Sequence, residues 1–247
     1  MKKDIELQIN DWYCFNESNG LSDSDDENDT EQYVIQIFGK NILEKSISVK
    51  IYGFKPRFYI NIPTTWDDTK ISIFIDTLKN RFKHRNKKYF KAIQSYKIVR
   101  KIKFRGFTNN EKIKFIKLTF NNTNAMYQYL RILRKKMNIP ILHKKPKKYK
   151  LYESNIEPFI RFCHIKNIQP SSWIKLPYKK YTLIKNKTTY CDFEYEINWN
   201  KVESIDENSI LPFKIMSFDI ECDSSHGDFP MAKKNYKKLA NELLDNI

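Results

Sequence analysis

The chain's 247 residues suffice for one large or two small domains with their own cores. Its formal charge of +16 points to a polyanionic partner. Four scattered cysteines and four scattered histidines form no Cys-x-x-Cys pair, and neither a leader pattern nor a bilayer-length apolar run is present. Those features argue against a zinc site, a secretory route and a membrane partner, and for reduced thiols in an intracellular setting, nucleus or cytoplasm, or a host cell if the source is viral.

The charge is not spread evenly. Residues 1–76 hold 8 Lys/Arg against 14 Asp/Glu, residues 77–152 hold 24 against 1, and residues 153–247 hold 13 against 14. The whole excess therefore lies in one central block, where Glu111 is the only acid. A Lys, Asn and Ile bias also suits an AT-rich genome, but such a bias does not explain the clustering.

In chain order, residues 5–15 alternate as a strand. Residues 22–31 are acidic with nothing apolar to bury, which predicts a solvated loop, or else an acidic tag for a partner. Strand patterns at 33–38 and 47–52 flank a turn beginning at Gly39 and Lys40, as a hairpin requires. Together, residues 1–56 read as a β-rich segment.

A repeating pattern follows. Residues 58–62 form a strand, and Ile71, Phe74, Ile75, Leu78 and Phe82 fall at helical spacing over 68–84. Residues 93–104 and 113–120 read as two strands joined through Gly106 and Asn109-Asn110. Met126, Tyr129, Leu130, Leu133 and Met137 give a second helix over 123–137, and residues 139–142 a short last strand. The expected fold class is α+β, with mixed and antiparallel sheets. It includes a ferredoxin-like βαββαβ unit over 57–143, the plan of RNA-recognition modules.

The basic block lies on this unit. Lys87, Lys88, Lys101, Lys103, Arg105, Lys135, Lys136, Lys144 and Lys145 are the candidate nucleic-acid contacts. Arg105-Gly106-Phe107 echoes the start of an aromatic RNA-binding motif but diverges at Thr108. Lysines meeting phosphates without sequence preference are therefore the favoured mode. Residues 144–150 form a polybasic linker, readable as a solvated connector, a localisation signal or a phosphate clamp.

Residues 151–212 read as β-rich again, after a helix that Ser154 or Asn155 could cap and in which Pro158 fits only the first turn. In that helix Cys163 and His164 point different ways and suit a buried thiol beside a partly exposed imidazole. Strands are expected near 172–177, 181–184 and 188–199. In the last, Phe193, Tyr195 and Ile197 alternate with Asp192, Glu194 and Glu196, as in a half-exposed antiparallel strand with solvent-facing acids.

Residues 213–247 open with Met216-Ser217-Phe218-Asp219-Ile220-Glu221-Cys222, a strand pattern that puts Asp219 and Glu221 on one face, roughly 6.5–7 Å apart. Carboxylates at that separation can share or flank divalent ions, the apparatus of two-metal phosphoryl chemistry. On spacing alone the string better fits a surface strand with two solvated acids, since short Asp-x-Glu strings are common. Residues 231–247 suit a short amphipathic helix.

Four blocks in order then carry a family resemblance over about residues 31–230. They are Gly53-Phe54-Lys55-Pro56-Arg57-Phe58-Tyr59, with Arg57 in place of a usual tyrosine; Tyr152-Glu153 with Ile160-Arg161-Phe162; Trp173-Ile174-Lys175-Leu176-Pro177; and Phe218-Asp219-Ile220-Glu221 followed by Gly227-Asp228-Phe229-Pro230. The chain resembles the N-terminal region of family B DNA polymerases of the delta type, ending just after their first exonuclease motif. The resemblance implies that Asp219 and Glu221 begin a ribonuclease H-like 3′→5′ exonuclease domain and bind catalytic Mg²⁺. In that mechanism one ion activates water and the other stabilises the leaving 3′ oxygen.

Family members supply the remaining ligands, and the polymerase aspartates, from later motifs absent from this sequence. The expected partners are thus DNA, single-stranded or as primer-template, and a polypeptide carrying the rest of the polymerase. The chain alone is expected to be catalytically incomplete, whether as a split or a truncated product. A stand-alone single-stranded nucleic-acid-binding protein, or an inert remnant, remains the alternative.

Overall fold

The structure is a computed structural model that describes residues 3–18, 31–83, 86–104, 106–107, 109–212, 216–219 and 237–244. It divides into two units, Met1–Leu211 and Pro212–Ile247. Among the described residues no helix is long and apolar enough to cross a membrane.

The first unit begins with three antiparallel strands, β1 (Ile5–Glu17), β2 (Gln32–Lys40) and β3 (Ser46–Tyr52). A bulge between Ile9 and Asp11 shifts the β1–β2 register and sets Gly39 opposite Ile9. A Cβ at Gly39 would lie 2.2 Å from the Gln8 carbonyl oxygen, so only glycine lets the backbones approach this closely.

The chain then leaves for a second sheet. It runs through β4 (Arg57–Asn61), α1 (Asp68–Asn80), the single turn α2 (Lys87–Phe90), β5 (Ile93–Lys101), β6 (Ile113–Phe120), α3 (Thr123–Leu133) and β7 (Leu151–Tyr152). The sheet order is β5-β6-β4-β7, with every pairing antiparallel. This is the split βαβ arrangement, in which the unit's first strand lies between its third and fourth.

Phe58, Ile60, Ile116, Leu118 and Phe120 face α1 and α3, which return Phe74, Leu78, Met126 and Tyr129. Each such side chain contributes roughly 1.5–3 kcal/mol on burial. Asp67 caps α1 by accepting from Lys70 N at 2.8 Å, and the buried Asn122 caps α3 by accepting from Ala125 N at 2.8 Å. Both helices stop earlier than their apolar spacing suggests, because Phe82 and Met137 join the core from the turns beyond.

The unit's last strand is not residues 139–142. Ile139 is buried, but its carbonyl accepts from the amides of Leu142 and His143, so the chain turns there, after Pro140, with Ile141 exposed. Leu151 and Tyr152 pair with β4 instead. The polybasic stretch before them is pinned to the core by Tyr149, which is buried against Phe74 and bonded to His143 Nε2 at 3.0 Å.

The chain then returns to the first sheet through α4 (Pro158–Lys166), β8 (Trp173–Leu176), β9 (Tyr181–Leu183), β10 (Phe193–Asn198) and β11 (Glu203–Ser204). The seven strands run β11-β8-β1-β2-β3-β10-β9. Glu157, not Ser154 or Asn155, is the N-cap of α4; it makes no side-chain cap bond, Pro158 occupies the first turn, and Asn167 ends the helix in the left-handed region at φ 53°. Phe162 and Cys163 are buried among Leu7, Ile35 and Phe54, and His164 is exposed.

Strand β10 differs from the expected one in length, in one of its two pairings and in facing. It starts at Phe193 and pairs antiparallel with β9, as expected, but parallel with β3. Ile197 is buried as expected, but Glu194 is 1% exposed and Phe193 is exposed. The β9–β10 loop folds back over the strand, so Thr188 N donates to both Glu194 carboxylate oxygens at 3.0 Å and Thr189 N donates to Oε1. Asp192 remains exposed, yet it accepts from Ser46 N and Oγ at 2.8 Å each.

Candidate nucleic-acid interface and carboxylate site

Strand alternation in the second sheet sorts side chains onto two faces. The face turned from the helices carries Arg57, Tyr59 and Asn61 of β4, Phe115, Lys117 and Thr119 of β6, Ser95, Lys97, Val99 and Lys101 of β5, and Tyr152 of β7. Lys97, Lys117 and Tyr59 are direct cross-strand neighbours.

The aromatic rings form the floor of this face. Phe115 and Tyr152 meet edge-on with centroids 5.2 Å apart. Lys101 Nζ lies 4.7 Å from the Tyr59 ring centre and Lys103 Nζ 5.7 Å from that of Tyr152. Such cation–π contacts are worth about 0.5–1 kcal/mol at exposed sites, enough to bias where the ammonium groups rest. Burial lowers the Lys117 ammonium from its ordinary value, and Arg57, Lys97, Lys101 and Arg161 lower it further. Glu153 pairs with Arg161, while Arg57 Nε is buried with no hydrogen-bond partner.

The nine basic residues expected from the sequence do not form one patch. Lys101 and Lys103 reach the helix-free face, which also gathers Arg57, Lys97 and Lys117. Lys87 and Lys88 sit on α2, and Lys88 Nζ is paired with Glu31 at 2.5 Å. Lys135 and Lys136 follow α3 and line a hollow of about 680 Å³ with Arg81, Arg131 and Tyr89. Lys144 and Lys145 are exposed in the turn before Tyr149, and Arg105 lies outside the described residues. The missed lysines were readable once Ile116 and Leu118 are assigned to the helix side, because Lys117 and Lys97 must then point the other way.

In the second unit, residues 216–219 are exposed and carry no strand hydrogen bonding. Met216 is 80% and Phe218 71% exposed, so neither is part of a core here. A strand exists only with a neighbour to complete its ladder, and among the described residues none pairs with this segment. Asp219 is exposed, with an oxygen donor that suits Mg²⁺, while Glu221 and Ile220 lie outside the described residues. Among the described residues no three His, Cys, Asp or Glu side chains converge as a metal site. The helix α5 (Lys237–Leu244) falls within the stretch expected to be helical.

The fold, and the sequence around the Asp-x-Glu string, are similar to those of the leading region of family B DNA polymerases. Residues 149–239 match the model for the exonuclease domain of DNA polymerase family B. The chain is 34% identical over 245 residues to a DNA polymerase of Acanthamoeba polyphaga mimivirus, covering 96% of this chain and 14% of that one. It is 36% identical over 243 residues to a DNA polymerase of Pyramimonas orientalis virus, covering 98% of this chain and 19% of that one.

A DNA polymerase delta catalytic subunit from rice (Oryza sativa subsp. japonica) is 29% identical over 203 residues, covering 80% of this chain and 18% of that one. The structure of the family B DNA polymerase from Pyrobaculum calidifontis shares the fold at a TM-score of 0.55 and 12% identity, over 84% of this chain and 21% of that one. The chain thus corresponds to the N-terminal region of family B DNA polymerases through the start of their exonuclease domain, and spans about a fifth or less of the length of these relatives.

Proposed function

We propose that this region binds DNA through its basic ferredoxin-like unit and contributes Asp219 and Glu221 as metal ligands of a 3′→5′ proofreading site. The observation that carries the reading is the exonuclease-domain match over residues 149–239, which contains both carboxylates. Mg²⁺, when bound, would supply the Lewis acidity for phosphodiester hydrolysis. Asp219 and Glu221 would hold it by carboxylate oxygens, with the other ligands coming from a polypeptide that carries the later exonuclease motifs. The partners are single-stranded or primer-template DNA and that polypeptide.

The test mixes the chain with a polypeptide bearing those motifs and follows loss of 3′-terminal nucleotides in Mg²⁺. The mixture should degrade single-stranded DNA, the chain alone should not, and Asp219→Ala or Glu221→Ala should abolish activity while leaving DNA binding nearly unchanged. Activity that survives Asp219→Ala refutes the assignment. DNA binding with no activity in any mixture favours the second reading, a nucleic-acid-binding protein acting alone, which the clustering of Lys97, Lys101 and Lys117 on the helix-free face supports.

A further inference from the structure

The DNA-binding reading leaves open which surface meets DNA and by what chemistry. We propose that the helix-free face of the four-stranded sheet is a phosphodiester-binding surface. In it Lys97, Lys101, Lys103, Lys117 and Arg57 meet backbone phosphates, and the rings of Tyr59, Phe115 and Tyr152 are a floor for the ammonium groups. The proposal deepens the DNA-binding reading and rests on it.

Three observations carry it. The first is placement. Lys97 and Lys101 lie four residues apart on one strand, about 13 Å at ordinary strand rise, with Lys117 beside Lys97 on the next strand, about 4.8 Å away. Cations at those spacings can engage more than one phosphate of a strand.

The second is charge without compensation. The groups that act on Lys117 through their charge are Arg57, Lys97, Lys101 and Arg161, all cations. Glu153 at the edge of the face pairs with Arg161 and also offsets part of the Arg57 charge, which leaves Lys97, Lys101 and Lys117 as the cluster without an acid among the described residues. Like charges held this close repel one another, and a polyanion relieves that repulsion as it releases its counterions.

The third observation separates phosphate contact from base stacking. RNA-recognition modules stack bases on aromatics of this sheet face. Here Tyr59 is 6% and Phe115 4% exposed, and Lys101 stands over the Tyr59 ring. A base cannot lie on rings that are already covered, whereas the ammonium groups above them are free to meet phosphates. Binding should therefore be nearly independent of sequence.

The experiment uses the full chain and fluorescence anisotropy with a labelled single-stranded 20-mer and the matching duplex, each over a salt series. The double variant Lys97→Glu/Lys101→Glu should weaken binding at least tenfold and flatten the dependence of log affinity on log salt by about 2, one for each phosphate that is no longer neutralised. Lys135→Glu/Lys136→Glu, with the same change in net charge, should weaken it less than about threefold. Tyr152→Leu should leave the affinity for mixed sequence within about threefold, where loss of a stacked base would cost tenfold or more.

A loss confined to the single strand or to the duplex identifies which backbone the face holds. Equal losses from the two lysine pairs overturn the proposal in favour of general electrostatic attraction, and a tenfold loss in Tyr152→Leu overturns the phosphate mode. If the unmodified chain binds neither DNA, the DNA-binding reading itself fails; if it binds and only the Lys97/Lys101 effect is missing, only this inference fails.

Discussion

Replacing Glu194 by alanine separates a structural carboxylate from a solvated one. The side chain is 1% exposed, accepts from Thr188 N twice at 3.0 Å, and also accepts from Thr189 N and, at 3.4 Å, from the Thr188 hydroxyl. Hydrogen bonds to a charged group contribute about 1.5–3 kcal/mol each. Thr188 is exposed, so water can recover part of what its amide loses. The net cost of Glu194→Ala should therefore be about 2–4 kcal/mol, rather than the sum of the separate bonds.

The pH dependence has a definite sign. Burial acts to raise the Glu194 carboxyl, but hydrogen bonds from Thr189 and Thr188 outweigh it, and the group sits below its ordinary value. The unfolded chain therefore takes up the proton first as pH falls. The contribution of Glu194 is complete above the ordinary glutamate value of about 4.3 and is lost as pH falls through the lower folded value.

Urea unfolding followed by tryptophan fluorescence at pH 7 and at pH 3 measures both effects. The gap between the unmodified chain and Glu194→Ala should be wide at pH 7 and shrink at pH 3. Glu111→Ala, at an exposed position, should change stability by less than about 0.5 kcal/mol. A Glu194→Ala cost no larger than that of Glu111→Ala would refute the buried-carboxylate account.

Two further outcomes follow from backbone approach and burial. Gly39→Ala should destabilise the chain by about 3 kcal/mol or more in the same assay, because its Cβ meets a carbonyl oxygen at 2.2 Å that cannot move without opening the β1–β2 pairing; a neutral substitution would mean that the bulge relaxes freely. Burial raises the Cys14 thiol and pushes Cys163 up to about 11. In a Cys222→Ser background at pH 7.5, the half-exposed Cys191 should react with a thiol reagent first, the half-exposed Cys14 more slowly because its thiol is raised, and the buried Cys163 only as the chain unfolds; prompt reaction of Cys163 would contradict its burial.

The ferredoxin-like unit was legible because its elements declare themselves locally. Helix α1 shows through the spacing of Ile71, Phe74, Ile75 and Leu78, and strand β6 through the alternation of Ile116, Leu118 and Phe120 with Lys117 and Thr119. Periodicity of 3.6 or 2 is imposed by neighbours in sequence, so a sequence records it. The Asp219-x-Glu221 pair and the four family blocks were legible as strings in the same way.

Tertiary structure decided what depends on residues far apart in the chain. The last strand of the unit is Leu151–Tyr152 because that segment finds the free edge of β4, whereas residues 139–142 close a turn through the Ile139 carbonyl. Strand β10 runs parallel to β3 although some 140 residues separate them, and no local pattern encodes the direction of a distant neighbour. Glu194 is buried because the loop before its strand folds back to offer amides, which inverts the rule that an alternating acid faces water. The cationic face arises because two helices cover one side of a four-stranded sheet and leave Lys97, Lys101 and Lys117 together on the other. Sequence set which residues are basic; the choice of covered face, a matter of long-range packing, set which of them meet.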